Sequence, residues 1–123
     1  MILADDQGKL SRTMAEWADS GTLDIILVTG GTGFAPRDVT PEATLAIIQR
    51  QAPGMADAMR QESMKLTDHA MLSRGVVGIR GEVLIVDLPG SPNAAVDNFH
   101  VIEPVLAHAV ELIKNDPEAE KHH

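Results

Sequence analysis

The 123-residue chain has no cysteine and no tyrosine, and its aromatic rings are limited to Trp17, Phe34 and Phe99. Without cysteine there can be no disulfide, thiolate nucleophile or cysteine-based zinc site. That absence is compatible with a reducing, cytoplasmic setting. With so few rings, the core must be aliphatic, with methionines as flexible filler. Cations are scarce as well: ten Lys and Arg against eighteen Asp and Glu leave a formal net charge of −8. Nucleic acids and anionic membranes both select clustered Lys and Arg, so neither is expected as a partner. A small anionic ligand is not excluded, because a local nest of backbone amides binds phosphate on an acidic protein. No apolar run is long enough to span a bilayer, and no signal-peptide pattern opens the chain. The 44% hydrophobic content is enough to pack one domain of modest size.

The pattern alternates strands and helices. Ile2 to Ala4 reads as a strand stub, and Gly8 to Asp19 has helical spacing with Leu10, Met14 and Trp17 on one stripe. Asp24 to Thr29 reads as a buried strand. Thr40-Pro41 reads as a helix start, Thr capping and Pro in the first turn. That helix is predicted to run to about Gln51, where Ala52-Pro53-Gly54 stops it. A second helix covers Met55 to about Leu66. Val76–Arg80 and Val83–Leu88 are strands joined by Gly81-Glu82, a tight hairpin. Ser91 and Pro92 open a last helix that reaches about Lys114. The expected fold is α/β: three layers, a mostly parallel sheet flanked by helices, and one antiparallel hairpin. Residues 1–114 form the domain, and 115–123 form a charged, flexible tail.

The residues that carry chemistry gather after two strands. Gly30-Gly31-Thr32-Gly33 follows the apolar strand, and glycine-rich strand-to-helix turns let bare N–H groups converge on an anion. It is neither a Walker A loop nor a dinucleotide fingerprint. A turn needing positive φ would explain the glycines alone. It would not require the Pro36-Arg37-Asp38-Val39-Thr40-Pro41 that follows. Asp38 reads either as helix N-terminal charge complementing the dipole or as a carboxylate for Mg²⁺ or a reacting group beside phosphate, and Arg37 as a phosphate or carboxylate partner. Pro89-Gly90-Ser91-Pro92-Asn93 is a second turn of the same kind. If the preceding strands are parallel, the two turns share one sheet edge, where such sheets bind ligands. Asp5-Asp6 reads as a solvated turn, and Ser63 and Ser73 as ordinary hydroxyls. His69, His100 and His108 lack metal spacing.

The run from Val28 to Thr44, with Ala52-Pro53-Gly54-Met55, Met71-Leu72-Ser73-Arg74, Gly78-Ile79-Arg80-Gly81 and Leu88-Pro89-Gly90-Ser91-Pro92-Asn93-Ala94 in order, resembles the molybdenum cofactor biosynthesis domain. It is most similar to the MogA-type molybdopterin adenylyltransferases, which include the G domains of the plant enzyme and of gephyrin; MoaB-type relatives share most of the motif. The resemblance covers about Ile2 to Lys114. It implies transfer of AMP from Mg-ATP to the terminal phosphate of molybdopterin, with release of pyrophosphate. By position, Gly30, Gly31, Thr32, Gly33, Pro89, Gly90, Ser91, Pro92 and Asn93 would hold nucleotide and phosphate. Asp5, Asp38 and Ser73 would serve the reaction, Asp38 also as a Mg²⁺ ligand. Ser63, Ser73 and Arg37 would contact substrate. The resemblance further implies a cytoplasmic homotrimer and handover to a molybdenum insertase domain. The rival it leaves is a non-catalytic binding or oligomerisation module, MoaB-like or gephyrin G-like.

Family members begin earlier than Met1, with a strand and a helix for which this chain has no residues. The resemblance therefore implies a shortened chain that folds poorly or is rescued by self-association, because apolar sheet surface would be left bare. A sharp, cooperative melt of monomeric chain would contradict that expectation.

Overall fold

The computed structural model describes residues 6–115. The expected strand stub at Ile2–Ala4, the carboxylate of Asp5 and the tail from Asp116 onward lie outside those residues. Along the chain come α1 (Gln7–Asp19), β1 (Ile25–Thr29), α2 (Thr40–Leu45), β2 (Arg50–Gln51) and α3 (Pro53–Met64). A 3-10 turn at Asp68–Leu72 leads to β3 (Val77–Arg80), β4 (Val83–Leu88) and α4 (Pro92–Ile113).

The four strands form one sheet in the order β1-β4-β3-β2. β1 pairs with β4 in parallel, Thr29 facing Leu88, while β3 pairs antiparallel with both β4 and β2. The α/β class and the hairpin stand, with Gly81 at φ +59° in the tight turn. The sheet is mixed rather than mostly parallel: β1–β4 is its one parallel pairing among the described residues. The difference arises at β2. The sequence predicts a helix from Thr40 to Gln51, yet α2 ends at Leu45 and the chain then joins the sheet. Gln49 N–H donates to Ile79 O at 2.8 Å and Ala52 N–H to Val77 O at 2.8 Å. The bare Cα of Gly78 gives Ile48 its seat, since a Cβ there would run into the Ile48 side chain. Strand pairing and that packing outweigh continued helix.

β4 is buried throughout, and its period-2 alternation separates two cores. Leu84, Val86 and Leu88 pack with Val77, Ala56 and Met59 of α3 and Ile102 and Leu106 of α4. Val83 and Ile85 pack on the other face with Met14 and Ala18 of α1, Ile26 of β1 and Ala43 of α2. Each fully buried Leu or Ile stabilises the fold by about 1.5–3 kcal/mol. On α1, Asp6 is the N-cap, its carboxylate accepting from Lys9 N–H at 3.0 Å. Met14 is buried as its spacing predicts, but Trp17 stays 38% exposed. Leu27 of β1 is 44% exposed. No helix among the described residues is long and apolar enough to cross a membrane.

Candidate active site at the paired turns

Because β1 and β4 are parallel neighbours in register, both glycine-bearing turns leave the sheet side by side at the carboxyl ends of their strands. Gly30 N–H donates to Leu88 O at 2.9 Å, continuing the ladder into the turns. The backbones then touch: a Cβ placed on Gly90 would lie 3.2 Å from the Cα of Gly30. Gly30 and Gly31 have φ of +91° and +66°, a region that costs other residues about 1–2 kcal/mol. Gly31 also admits no side chain, because its Cβ would strike Thr40 Oγ1. Thr40 itself lies inside α2, buried, with N–H donating to Gly31 O at 3.1 Å; the N-cap is Val39, with no side-chain cap bond.

The carboxylate of Asp38 lies over the turn. Oδ2 sits 2.8 Å from where a Gly33 Cβ would be. It accepts from Ala35 N–H at 2.9 Å, while Asp38 N–H donates to Ala35 O at 2.9 Å. Oδ1 takes no hydrogen bond among the described residues, and Asp38 as a whole is half-buried. Arg37 beside it is exposed and makes no ion pair among the described residues. At the second turn, Ser91, Pro92 and Asn93 are exposed. Ser91 holds the N-cap position of α4 without a side-chain cap bond, so the first N–H groups of this 22-residue helix stay open to an anion.

Arg74 fastens the site together, and its spacing in the sequence does not announce that role. Its N–H donates to Thr32 O at 2.7 Å. Its guanidinium donates from Nε to Gly33 O at 2.7 Å, from Nη2 to Asp38 O at 2.7 Å, and from Nη1 to Glu42 Oε2 at 2.6 Å. The hydrogen bond with Arg74 holds the Glu42 carboxyl below its ordinary range, and the same bond raises the Arg74 guanidinium. Ser73, half-buried beside Arg74, closes the 3-10 turn, its N–H donating to Ala70 O at 3.1 Å; its hydroxyl makes no hydrogen bond to either turn among the described residues. Thr32 is buried, its methyl turned toward Gly75; its backbone is what the turn can offer. Ser63 is placed elsewhere. Its hydroxyl accepts from Asn98 Nδ2 at 2.7 Å, in a 240 Å³ cleft between α3 and α4 lined also by Leu66 and His100. It makes no hydrogen bond to either turn.

Beneath the turns lies a second carboxylate that the sequence marks only as a single acid in the apolar run Val83–Leu88. Asp87 is 3% exposed. It accepts from Thr44 Oγ1 at 2.7 Å and from Val76 N–H at 3.1 Å. Burial pushes its pKa from 3.8 up to about 7, against these two hydrogen bonds, and the charge of Glu42 adds to the rise. A raised folded-state pKa means that the fold binds the proton more tightly than the unfolded chain. Stability from this group is therefore full below about pH 4 and lost as pH rises through about 7. Asn in its place keeps Val76 paired through its amide oxygen, and Thr44 turns its hydroxyl toward the Met14 sulfur 3.9 Å away. Asp87→Asn should thus stabilise the fold by about 2 kcal/mol at pH 8 and little at pH 4. Denaturant melts at the two pH values check this; an equal effect at both would contradict it.

Among the described residues no group of three His, Cys, Asp or Glu is placed to hold a metal ion.

The family described as "Probable molybdopterin binding domain" matches residues 1–108. The chain is 45% identical over 115 residues to the molybdenum cofactor synthesis protein cinnamon of Drosophila melanogaster, covering 94% of this chain and 19% of that protein. It is 38% identical over 112 residues to a molybdopterin adenylyltransferase of Helicobacter pylori, covering 91% of this chain and 64% of that protein. The molybdopterin biosynthesis enzyme MoaB of Thermus thermophilus superposes with a TM-score of 0.84 at 46% identity, covering 92% of this chain and 71% of that one. The chain thus spans less than two thirds of these curated relatives. Matched over 108 residues, fold and paired turns included, the chain belongs to the molybdopterin binding domain family.

Proposed function

We propose that the paired turns catalyse adenylyl transfer from Mg-ATP to molybdopterin. A terminal phosphate oxygen of molybdopterin attacks the α-phosphorus of ATP, the bond to the β-phosphate breaks, and pyrophosphate leaves. The observation that carries the reading is the meeting of two glycine-bearing turns at one sheet edge, with the Asp38 carboxylate over one of them. Joining two anionic groups needs positioning and charge neutralisation more than a nucleophilic side chain, which suits a chain without cysteine. The amides of Gly31 to Gly33 and the amino end of α4 would hold phosphates, with Gly30 setting the turn through its bond to Leu88 O; Arg37 would meet a substrate phosphate, and Asp38 would orient the reacting groups. Mg²⁺, when bound, would neutralise phosphate charge. Support also comes from the relatives named molybdopterin adenylyltransferase.

The same reading includes a cytoplasmic homotrimer that passes its product to a molybdenum insertase domain. Exposed apolar side chains on α4, Val96 at 55% and Val105 at 49%, favour self-association. The test is to incubate the chain with Mg-ATP and molybdopterin and look for adenylylated molybdopterin by mass spectrometry. Its appearance only when all three are present supports the reading, and its absence from folded chain would sink it.

A further inference from the structure

Phe34 is not explained by the fold. It is one of three aromatic residues in the chain, yet it is 67% exposed and belongs to neither core. Its backbone is nevertheless clamped on both sides. Gly33 O is held by Arg74 Nε at 2.7 Å, and Ala35 N–H by the Asp38 carboxylate at 2.9 Å. A ring on a rigid pedestal, standing free at the last glycine of an anion-binding turn, has the attributes of a ligand contact. It offers a flat apolar surface on a held backbone, so binding has to order only the rotation of the side chain itself. Exposed Met71 (59%) and Leu72 (47%) come from the 3-10 turn that Arg74 ties to Thr32, and Arg37 stands three residues along the loop.

We propose that Phe34 stacks on the planar heteroaromatic ring of the ligand whose phosphate the turn holds. This rests on the adenylyl-transfer reading, which supplies two such ligands, ATP and molybdopterin; both join a flat ring to a phosphate through a short linker. Phe34 is then a specificity-determining contact, accepting phosphates that carry a ring over those that do not.

The test is calorimetric titration of the full chain and of Phe34→Ala and Phe34→Trp with ATP, with molybdopterin and with ringless tripolyphosphate. Stacking losses measured in other systems lead to an expected weakening of about tenfold or more for Phe34→Ala toward the ligand whose ring stacks. The two ring-bearing arms show which ring that is. Tripolyphosphate affinity stays as in the parent chain, and Phe34→Trp restores binding. Unchanged affinity of Phe34→Ala for both ring-bearing ligands would overturn the inference, as would an equal loss for tripolyphosphate. So would a change confined to self-association in sedimentation. If the parent chain makes adenylylated molybdopterin while Phe34→Ala binds normally, the stacking role falls and the reaction stands. If the parent chain binds neither ATP nor molybdopterin, both fall.

Discussion

Replacing Arg74 with alanine is expected to lower molybdopterin-dependent turnover about a hundredfold, the scale on which small misplacements of reacting groups are felt. The side chain donates to Gly33 O, Asp38 O and Glu42, and so holds the turn, the loop that carries Asp38 and the first turn of α2 in one arrangement. Without it two carbonyls lose their partners, and Glu42 is left without its counter-ion beside the turns proposed to take phosphates. The turn at Gly33 and the loop at Asp38 then lose the side chain that holds them together. Arg74→Lys separates geometry from charge, because an ammonium keeps the charge but cannot span three acceptors as a guanidinium does. The lysine variant should therefore recover thermal stability more than turnover. The measurement is kcat beside the melting curve for each variant. A kcat unchanged in folded Arg74→Ala would show that the clamp has no part in the chemistry.

Asp38→Asn isolates the carboxylate charge. The amide oxygen can still accept from Ala35 N–H, so the closed turn from Ala35 to Asp38 is expected to persist. The negative oxygen that no protein group occupies is gone. Turnover should fall roughly 10²–10³-fold, the usual scale for removing one electrostatic contact from a reacting centre, while ATP affinity changes no more than a few-fold. A parallel loss of ATP affinity and turnover would instead assign Asp38 to ground-state binding. Unchanged turnover would remove it from the reaction.

Much of this site could be read before the fold was known, for a physical reason. Both turns advertise themselves locally: glycines where φ is positive or backbones touch, and prolines at helix starts. That the turns meet follows from two strands being parallel neighbours, which the apolar runs at Ile25–Thr29 and Val83–Leu88 are enough to suggest. What could not be read depends on contacts between distant residues. Arg74 acts 32 to 41 positions away from its partners, and no local pattern around it signals the clamp. Asp87 gains its raised pKa only when β4 is buried beneath α2. The short α2 was missed because helix propensity carries no information about Ile48 seating on Gly78. Ser63, for which the resemblance implies a substrate contact, accepts from Asn98 of α4 in the fold, a partner that no local pattern announces. Asp5 falls outside the described residues, so its proposed role rests on resemblance alone.

The most direct measurement is pyrophosphate release from Mg-ATP by the 123-residue chain, with and without molybdopterin, beside Asp38→Asn. Release that requires molybdopterin and nearly disappears in the variant is the expected result. A folded chain that binds ATP yet releases no pyrophosphate, or releases it equally without molybdopterin, would contradict adenylyl transfer at the paired turns.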